Sequence, residues 1–466
     1  MELPLADPID DRPLVSYEQL LEPFESAIKP PSAFLCGAEA EKFGVFADFA
    51  HLPYEGARGE GGRGGVADVL ADLASRGWME SRESEAGPLL ALLRAGASIT
   101  LEPGSQLELS GAPLADAHLI AHELRAHLAE LRPVSERLGV TWLGLGFHPF
   151  AKRADYTFVP KLRYGVMKTY LPTRGGHALD MMLRTCTVQA NYDFSSEEDA
   201  MRKLRLGLAL APVTTAMFAN SPFYEGRVFG GKSYRAKVWL DVANERAGLL
   251  PMMWKDDTSY RDYVEWALDV PMFMIKRDGA RVENAGQTFR AFMRDGFAGH
   301  RALVSDFTPH INTVFPEVRL KKTLEVRGAD AQSEAMTPAL AALYTGLYYD
   351  ERALAEACEL VRDFTHAEVA ESRRLVWQLG LDAPFRGATL RPLAERVVAI
   401  AEGGLARRAR RDPTDPAIGD ERARLRPLAE LVARGESPAD ALLRDLPAEG
   451  DDAFKAEVVR RARFSL

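Results

Sequence analysis

The chain is poor in cysteine and has no long apolar run, and each deficit excludes a class of protein. Its three cysteines, Cys36, Cys186 and Cys358, are too few and too scattered for a disulfide framework or a zinc site. The most apolar stretch, 206–219, contains Pro212 and is too short to span a bilayer. The first residues, M-E-L-P-L-A-D-P-I-D-D-R-P, lack the basic start and apolar run of a signal peptide. We therefore predict a cytoplasmic protein that does not bind membranes.

Positive charge is also scarce. With 58 Lys and Arg against 67 Asp and Glu, the formal net charge is −9. Sequence-independent binding to nucleic acid or to an anionic membrane needs dense Lys and Arg, so both partners are excluded. At 47% hydrophobic residues the 466-residue chain can bury a sizeable core, either as two or three domains or as one large enzyme domain with a helical appendage. We expect a monomer or homodimer that acts on small molecules.

Two carboxylates lie close together in an apolar segment near the N-terminus. Cys36 to Gly44 reads C-G-A-E-A-E-K-F-G, which places Glu39 and Glu41 two residues apart. Alternate side chains of a strand share a face, so a strand here would project both carboxylates in one direction. Buried, unpaired carboxylates repel each other, and a divalent cation relieves that repulsion. The segment therefore predicts half of a metal site.

The same alternation recurs in four further segments, each with a polar and an apolar face. Their polar positions are Gln106, Glu108 and Ser110; Thr185, Thr187, Gln189, Asn191 and Asp193; Arg235, Lys237, Trp239 and Asp241; and Glu325 with Arg327. A half-exposed antiparallel sheet alternates in the same way, but a solvated face favours mixtures of Lys, Thr and Glu over carboxylates, amides and single arginines. We predict an α+β fold with one curved antiparallel sheet, polar on its concave face and covered by helices behind.

These residue types also indicate the chemistry. Carboxylate and amide oxygens suit a hard cation, Mg²⁺ or Mn²⁺, more than zinc. Arginines on the same face suit carboxylate and phosphate groups, which guanidinium binds in a bidentate manner. Metal-binding carboxylates beside arginines indicate phosphoryl transfer from a nucleotide.

One motif is a false match. Gly226 to Ser233, G-R-V-F-G-G-K-S, fits the phosphate-binding loop pattern letter for letter. Such a loop must follow a buried strand and open a helix. A turn-like N-S-P-F-Y-E precedes this segment, and the alternating residues 234–241 predict a strand after it. We therefore assign it no phosphate role.

Six longer segments stand in order along the chain. They read G-A-E-A-E-K-F-G, L-E-P-G-S-Q-L-E-L-S-G-A-P, L-D-M-M-L-R-T-C-T-V-Q-A-N-Y-D-F-S-S-E, F-A-N-S-P-F-Y-E-G, A-L-D-V-P-M and F-P-E-V-R-L-K-K-T-L-E-V-R-G-A-D. Together they resemble the plant and proteobacterial type of glutamate-cysteine ligase. The resemblance implies a glutamine-synthetase-like catalytic domain over 1–466, with a sheet-forming core at 1–330 and a mainly helical part at 331–466. It also implies ATP-dependent ligation of L-glutamate, through γ-glutamyl phosphate, to the amine of L-cysteine, giving γ-glutamylcysteine in the first step of glutathione biosynthesis.

The same resemblance implies roles for individual residues. The metal shell around the ATP phosphates would be Glu39, Glu41, Glu108, Gln189 and Glu325, with Glu102 nearby. The substrate residues would be Arg235 and Trp239 for glutamate, Arg163, Lys168 and Arg184 for substrate carboxylates, and Thr187 for a hydrogen bond. Arg327 and Glu325 would be catalytic, Arg327 by neutralising the transferring phosphoryl group, and Arg327 and Lys42 would contact the nucleotide.

Two alternatives stay open. A ligase of the same fold could use a different amine acceptor, because small pocket changes redirect such enzymes. A non-catalytic nucleotide-binding protein could instead use the segment 226–233, and would then depend on Lys232 but not on Glu39, Glu41 or Glu325.

Overall fold

A computed structural model describes residues 10–56, 62–277 and 280–466. The strands are β1 (Cys36–Val45), β2 (Met79–Arg82), β3 (Leu89–Arg94), β4 (Ala97–Leu101), β5 (Leu107–Ser110), β6 (Thr141–Leu143), β7 (Thr187–Tyr192), β8 (Phe223–Tyr224), β9 (Arg227–Val228), β10 (Ala247–Gly248), β11 (Met274–Arg277), β12 (Ala280–Glu283), β13 (Phe315–Pro316), β14 (Val318–Leu320), β15 (Leu324–Asp330), β16 (Pro384–Phe385) and β17 (Ala388–Thr389).

The α-helices cover the remainder of the fold. They are α1 (Glu22–Glu25), α2 (Val66–Ala74), α3 (Ala117–Leu138), α4 (Leu162–Tyr170), α5 (Ala178–Arg184), α6 (Glu197–Ala209), α7 (Ala211–Met217), α8 (Tyr234–Val238), α9 (Tyr260–Asp269), α10 (Phe289–Asp295), α11 (Phe307–Ile311), α12 (Thr337–Tyr348), α13 (Glu351–Val361), α14 (His366–Leu379), α15 (Leu390–Arg408), α16 (Arg422–Arg434), α17 (Pro438–Leu443) and α18 (Asp452–Ala462).

A nine-stranded sheet forms the centre of the fold. Its order is β14-β15-β7-β1-β5-β4-β3-β2, and β6 pairs with the far end of β1. Its pairings are antiparallel, with irregularities between Val326 and Ala329 in β15 and between Ser81 and Arg82 in β2. Four of the five segments predicted to be polar strands are strands of this sheet, namely β1, β5, β7 and β15. The predicted α+β fold with an antiparallel sheet is confirmed.

The fifth segment, 234–241, is wrongly predicted as a strand. It forms the short helix α8 and a following turn. Ser233 caps the helix, since its hydroxyl oxygen accepts a hydrogen bond of 3.0 Å from the amide of Ala236. Tyr234 and Val238 are buried one helical turn apart. Over five residues, alternation and helical spacing are too similar to distinguish from the sequence.

The apolar face of the sheet packs against helices. The side chains of Ala38 and Val188 join a core that includes Leu340 and Leu343 of α12. Farther along the sheet, Leu107 packs with residues of α2 and α3 in a second cluster. The sheet therefore has one face buried in hydrophobic core, which leaves the opposite face for polar side chains.

The C-terminal part, 331–466, is mainly helical. It runs from α12 to α18 and is interrupted by the ribbon β16–β17. Phe454 and Val458 of α18 pack against the β1 end at Val45. No helix within the described residues has the length and apolar character needed to cross a membrane.

The false phosphate-loop match lies between β8 and α8. Its residues Arg227–Val228 form β9, which pairs with β8 in a two-residue ribbon, and Lys232 forms an ion pair with Asp440 of α17. A helix does follow the segment, contrary to the predicted strand, but α8 has five residues. The lysine thus ties the C-terminal helices to the core.

Candidate active site

Two buried carboxylates face each other on the polar side of the sheet. Glu41 of β1 pairs in register with Glu108 of β5. The two residues are 8% and 7% exposed. Glu108 accepts hydrogen bonds of 2.5 Å from the Thr100 hydroxyl and 2.9 Å from the Ser110 hydroxyl. Like charges directly opposite each other destabilise a sheet, so this arrangement calls for a compensating cation.

Glu41 also has partners on other strands. Its Oε2 accepts a hydrogen bond of 2.8 Å from the backbone amide of Thr187. Burial, together with the negative charges of Glu102 and Glu108, raises the pKa of Glu41 well above its ordinary range. The Thr187 hydroxyl donates to the carbonyl oxygen of Ala329 at 2.6 Å. Thr187 therefore positions Glu41 and joins β7 to β15. Its hydroxyl hydrogen is already donated to Ala329, so it is not available for the predicted hydrogen bond to a substrate.

Glu39 lies between two amides of β7. Its carboxylate accepts hydrogen bonds of 2.9 Å from Gln189 Nε2 and 2.8 Å from Asn191 Nδ2. Burial and the nearby Glu325 carboxylate raise the pKa of Glu39 to about 7. Arg327 donates to the Oε1 atom of Gln189. A hydrogen-bonded chain thus runs from Glu39 through Gln189 to Arg327.

Glu325 is surrounded by three cationic side chains. Its carboxylate oxygens lie 2.7 Å from Arg319 Nε, 2.5 Å from Lys321 Nζ and 2.6 Å from Arg327 Nη1. Burial opposes ionisation, but the positive charges of Arg319, Lys321 and Arg327 hold the pKa of Glu325 well below its ordinary range. Glu325 is fully buried. It is therefore an ionised anchor that orders these cations, and Arg319 and Lys321 are site residues that the sequence reasoning missed.

A pocket opens beside this network. Its described lining consists of Thr215, Arg235, Ala236, Trp239, Phe315, Pro316, Glu317, Arg327, Gly328, Arg373 and Val376. The guanidinium of Arg235 donates to the Arg327 carbonyl oxygen at 2.9 Å, and the Trp239 ring lies edge-on to Phe315 at 5.8 Å between centroids. Arg235 and Trp239, both predicted for glutamate binding, are therefore brought together next to Arg327.

The polar face also has to be compared with what a metal ion requires. Within the described ranges, no three His, Cys, Asp or Glu side chains converge closely enough to hold a metal by themselves. Magnesium commonly takes one or two carboxylates and completes its shell with water and substrate phosphates. Glu41 and Glu108 are buried oxygen donors opposite each other, and the half-buried Glu39 lies on the same face, so the three carboxylates fit that requirement.

Comparison with known proteins identifies the family. The sequence model of glutamate-cysteine ligase family 2 matches residues 35–460. The chain belongs to this family. It is an enzyme of the glutamate-cysteine ligase type, which confirms the predicted reaction: synthesis of γ-glutamylcysteine, the first step of glutathione synthesis.

The ligase has close relatives among curated plant enzymes. The chloroplastic glutamate-cysteine ligase of Brassica juncea is 40% identical over 433 residues, which are 92% of this chain and 80% of that protein. Chloroplastic ligase B of Oryza sativa subsp. japonica is 39% identical over 434 residues, 92% of this chain and 84% of that protein. The Arabidopsis thaliana chloroplastic enzyme is 39% identical over 433 residues, 92% of this chain and 79% of that protein. These names contradict the predicted cytoplasmic location, which is withdrawn.

A solved structure shares the ligase fold. The crystal structure of glutamate-cysteine ligase from Francisella tularensis, in complex with AMP, superposes with a TM-score of 0.53 at 11% sequence identity. The match covers 92% of this chain and 87% of that one. The glutamine-synthetase-like fold class predicted from the sequence is thereby confirmed.

Lys42 does not lie on the polar face of the sheet. The Lys42 ammonium is fully buried on the helix side of β1, 3.1 Å from the Ala40 carbonyl oxygen and 3.2 Å from His127 Nε2 of α3. Burial lowers its pKa to about 8. The predicted contact with the nucleotide is therefore contradicted, because the strand alternates regularly and turns Lys42 away from Glu41.

Arg184 is also wrongly placed by the prediction. Its guanidinium lies over the rings of Phe147 and Tyr224, 4.7 and 4.9 Å from their centroids. It is 3.2 Å from carboxylate oxygens of both Asp180 and Glu225, and 1% of it is exposed. Since two carboxylates already balance its charge inside the protein, Arg184 is not available to a substrate carboxylate.

The two basic residues of α4 behave differently. Lys168 is exposed, and its ammonium lies 4.8 Å from the centre of the Phe158 ring. The structure therefore does not bring Lys168 to the carboxylates of the polar face. Arg163 lies over Tyr164, 4.9 Å from the ring centre, and donates to its hydroxyl at 3.1 Å. Tyr164 raises the pKa of Arg163, burial opposes this rise, and the Glu102 carboxylate adds to it.

Proposed function

We propose that the polar face binds ATP and Mg²⁺ and transfers the γ-phosphoryl group of ATP to the γ-carboxylate of glutamate. The observation that carries this proposal is the position of Arg327. Its guanidinium contacts Gln189 and Glu325 on the polar face, and the same residue lines the pocket of Arg235 and Trp239. A group held there would lie between the carboxylates and the pocket, where a phosphoryl group in transit has to be.

The residues we assign to Mg²⁺ are Glu39, Glu41, Glu108 and Gln189, with Glu102 at the edge of the set. When bound, the ion would supply positive charge to the ATP phosphates. Glu325 was predicted as a further ligand, but its carboxylate is already occupied by Arg319, Lys321 and Arg327. We therefore assign Glu325 to holding Arg327 in place.

The chemistry proceeds in two steps. First, a γ-carboxylate oxygen of glutamate attacks the γ-phosphorus of ATP, and the bond to the ADP oxygen breaks. Arg327 stabilises the negative charge that develops on the transferring group. Second, the cysteine amine attacks the carbonyl carbon of the acyl phosphate, an amide bond forms, phosphate leaves and the amine loses a proton. Phosphorylation is needed because a free carboxylate is a poor acyl donor.

Substrate glutamate would occupy the pocket beside Arg327. Arg235 supplies a buried guanidinium for a carboxylate group, and Trp239 and Phe315 form the apolar wall. We propose a single catalytic domain over 1–466, in which the helical part at 331–466 also shapes this pocket through Arg373 and Val376 of α14.

The assay is ADP release by purified protein with ATP, Mg²⁺ and glutamate, with each amino acid added in turn as the acceptor. We expect turnover that depends on cysteine. Turnover with another amine but not with cysteine would show that the enzyme uses a different acceptor. Turnover with none of the acceptors would overturn the proposal.

A further inference from the structure

The pocket contains an ion pair that the proposed reaction does not yet use. Glu317 follows β13, and Arg373 belongs to α14. Arg373 Nε donates to Glu317 Oε1 at 2.5 Å, and the two side chains are 16% and 12% exposed. Both residues line the pocket of Arg235, Trp239 and Arg327. They are therefore charged groups that a bound substrate would meet.

Backbone hydrogen bonds fix the position of Glu317 beside β10 and β15. The Glu317 amide donates to the Gly248 carbonyl oxygen at 2.9 Å, and its carbonyl accepts from the Arg327 amide at 3.0 Å. Its Oε2 atom lies over Gly328, where an added Cβ would come within 2.8 Å. Glycine at 328 is thus what allows the carboxylate to lie against β15.

Arg373 is held from the opposite side. Its Nη2 atom donates to the Trp239 carbonyl oxygen at 3.3 Å. An added Cβ at Gly248 would lie 3.6 Å from the guanidinium carbon, so this group packs directly on the backbone there. Arg373 is consequently fixed between α14, Trp239 and the β10 segment.

The charges of the pocket complement an α-amino acid with a second carboxylate. Among its described lining residues, Arg235, Arg327 and Arg373 are cationic and Glu317 is the single carboxylate. Glutamate carries two carboxylates and one ammonium group. Two guanidinium groups can bind the α-carboxylate, a third can face the γ-carboxylate, and one carboxylate remains for the ammonium.

We propose that Glu317 and Arg373 recognise the α-amino acid end of glutamate. Glu317 accepts hydrogen bonds from the α-ammonium group. Arg373, together with Arg235, binds the α-carboxylate and thereby directs the γ-carboxylate towards Arg327. This inference rests on the proposed function, because it assumes that glutamate occupies this pocket.

A purely structural clamp between α14 and β15 would contain the same ion pair, so the test must separate recognition from stability. Two glutamate analogues do so. Glutarate lacks the α-amino group, and 4-aminobutyrate lacks the α-carboxylate. We would measure the KM of glutamate and the inhibition constants of both analogues for the wild type, Glu317→Gln and Arg373→Gln. Arg374→Gln is the matched control, because Arg374 is the next residue of α14 and pairs with Glu371 at the surface.

Each variant should weaken the binding of a different analogue, and we call this result the crossed pattern. Loss of one charge-assisted hydrogen bond lowers affinity about 10- to 100-fold. Glu317→Gln should weaken glutamate and 4-aminobutyrate by that factor and leave glutarate within about threefold. Arg373→Gln should weaken glutamate and glutarate and leave 4-aminobutyrate within about threefold. Arg374→Gln should change none of the three.

Equal weakening of all three ligands by either variant would overturn the inference in favour of a structural clamp. If a glutamine variant does not fold, Glu317→Asp and Arg373→Lys should show the same crossed pattern at smaller size, and its absence would be equally decisive. A wild-type protein with no glutamate-dependent turnover would instead overturn the proposed function itself.

Discussion

Glu41 and Glu108 stand directly opposite each other on β1 and β5, both buried on the same face of the sheet. Nothing in the pairing of these strands requires a carboxylate at either position. The repulsion between the two side chains is a cost to the empty fold. This cost supports the proposed role of the pair in binding a metal ion.

Glu41→Gln should therefore separate stability from activity. Without divalent cations we expect the free energy of unfolding to rise by about 1 kcal/mol, because one of two repelling carboxylates is removed while the glutamine oxygen can still accept from Thr187. Turnover and the stabilisation by Mg²⁺ should both fall sharply. Urea denaturation in EDTA and in Mg²⁺ measures the first effect, and ADP release measures the second. Glu80→Gln, on exposed β2, is the control; wild-type Mg²⁺ stabilisation in Glu41→Gln would refute the metal assignment.

Glu325→Gln should abolish turnover and destabilise the fold. Glu325 balances the charges of Arg319, Lys321 and Arg327, and removing one partner from a buried ionic cluster costs about 3–5 kcal/mol. Without its anchor Arg327 should lose its orientation, so turnover should fall at least about a thousandfold. ADP release and denaturant unfolding measure both effects. Activity close to wild type in the folded variant would contradict the assignment.

Arg327→Lys tests the guanidinium alone. One Nη atom of Arg327 reaches both Gln189 and Glu325, and a lysine ammonium on a flexible chain cannot reproduce the planar fork that arginine presents to a phosphoryl group. We expect kcat to fall by about 100-fold or more while the KM of glutamate changes less than about threefold. Steady-state kinetics with glutamate varied makes the comparison, and a large KM change at constant kcat would place Arg327 in substrate binding only.

Alternation located the sheet and most of the polar face because both are local properties of a strand. Glu39, Glu41, Glu108, Gln189 and Glu325 all lie in segments where every second side chain must face the same way. Arg235 and Trp239 were grouped correctly although their segment is a helix. A spacing of four residues shares a face in a strand and in a helix alike, so the error in secondary structure did not separate them.

The failures concern partners that are far away in sequence. The resemblance implied a substrate contact for Arg184. Its partner Asp180 lies one helical turn away in α5, but Glu225 meets it only in the folded chain. Arg373 lies in the C-terminal helices, where no site residue is predicted from the sequence, and no local pattern connects it to Glu317. Glu317 itself stands in the quoted segment F-P-E-V-R-L, so a signal for it was present.

Lys42→Met should leave catalysis nearly unchanged. The ammonium group contacts Ala40 and His127 behind the sheet, so its removal takes nothing from the polar face. Methionine has a similar length and no charge to bury, and we expect kcat and the KM of ATP to stay within about threefold of wild type. A tenfold or larger increase in the KM of ATP would instead restore the nucleotide contact that the structure contradicts.

Stability should fall below neutral pH because of His310. Burial lowers its pKa from 6.5 to about 4, and its Nε2 atom lies 2.8 Å from the Ala267 carbonyl oxygen beneath the ring of Phe289. Between pH 6.5 and 4, His310 therefore binds a proton in the unfolded chain but not in the folded chain. The contribution of His310 to the free energy of unfolding is constant above pH 6.5 and is lost as the pH falls. The full loss amounts to about 3 kcal/mol. Urea midpoints between pH 7 and 4.5 should fall less steeply in His310→Gln than in the wild type, and parallel curves for the two proteins would exclude His310 as the source.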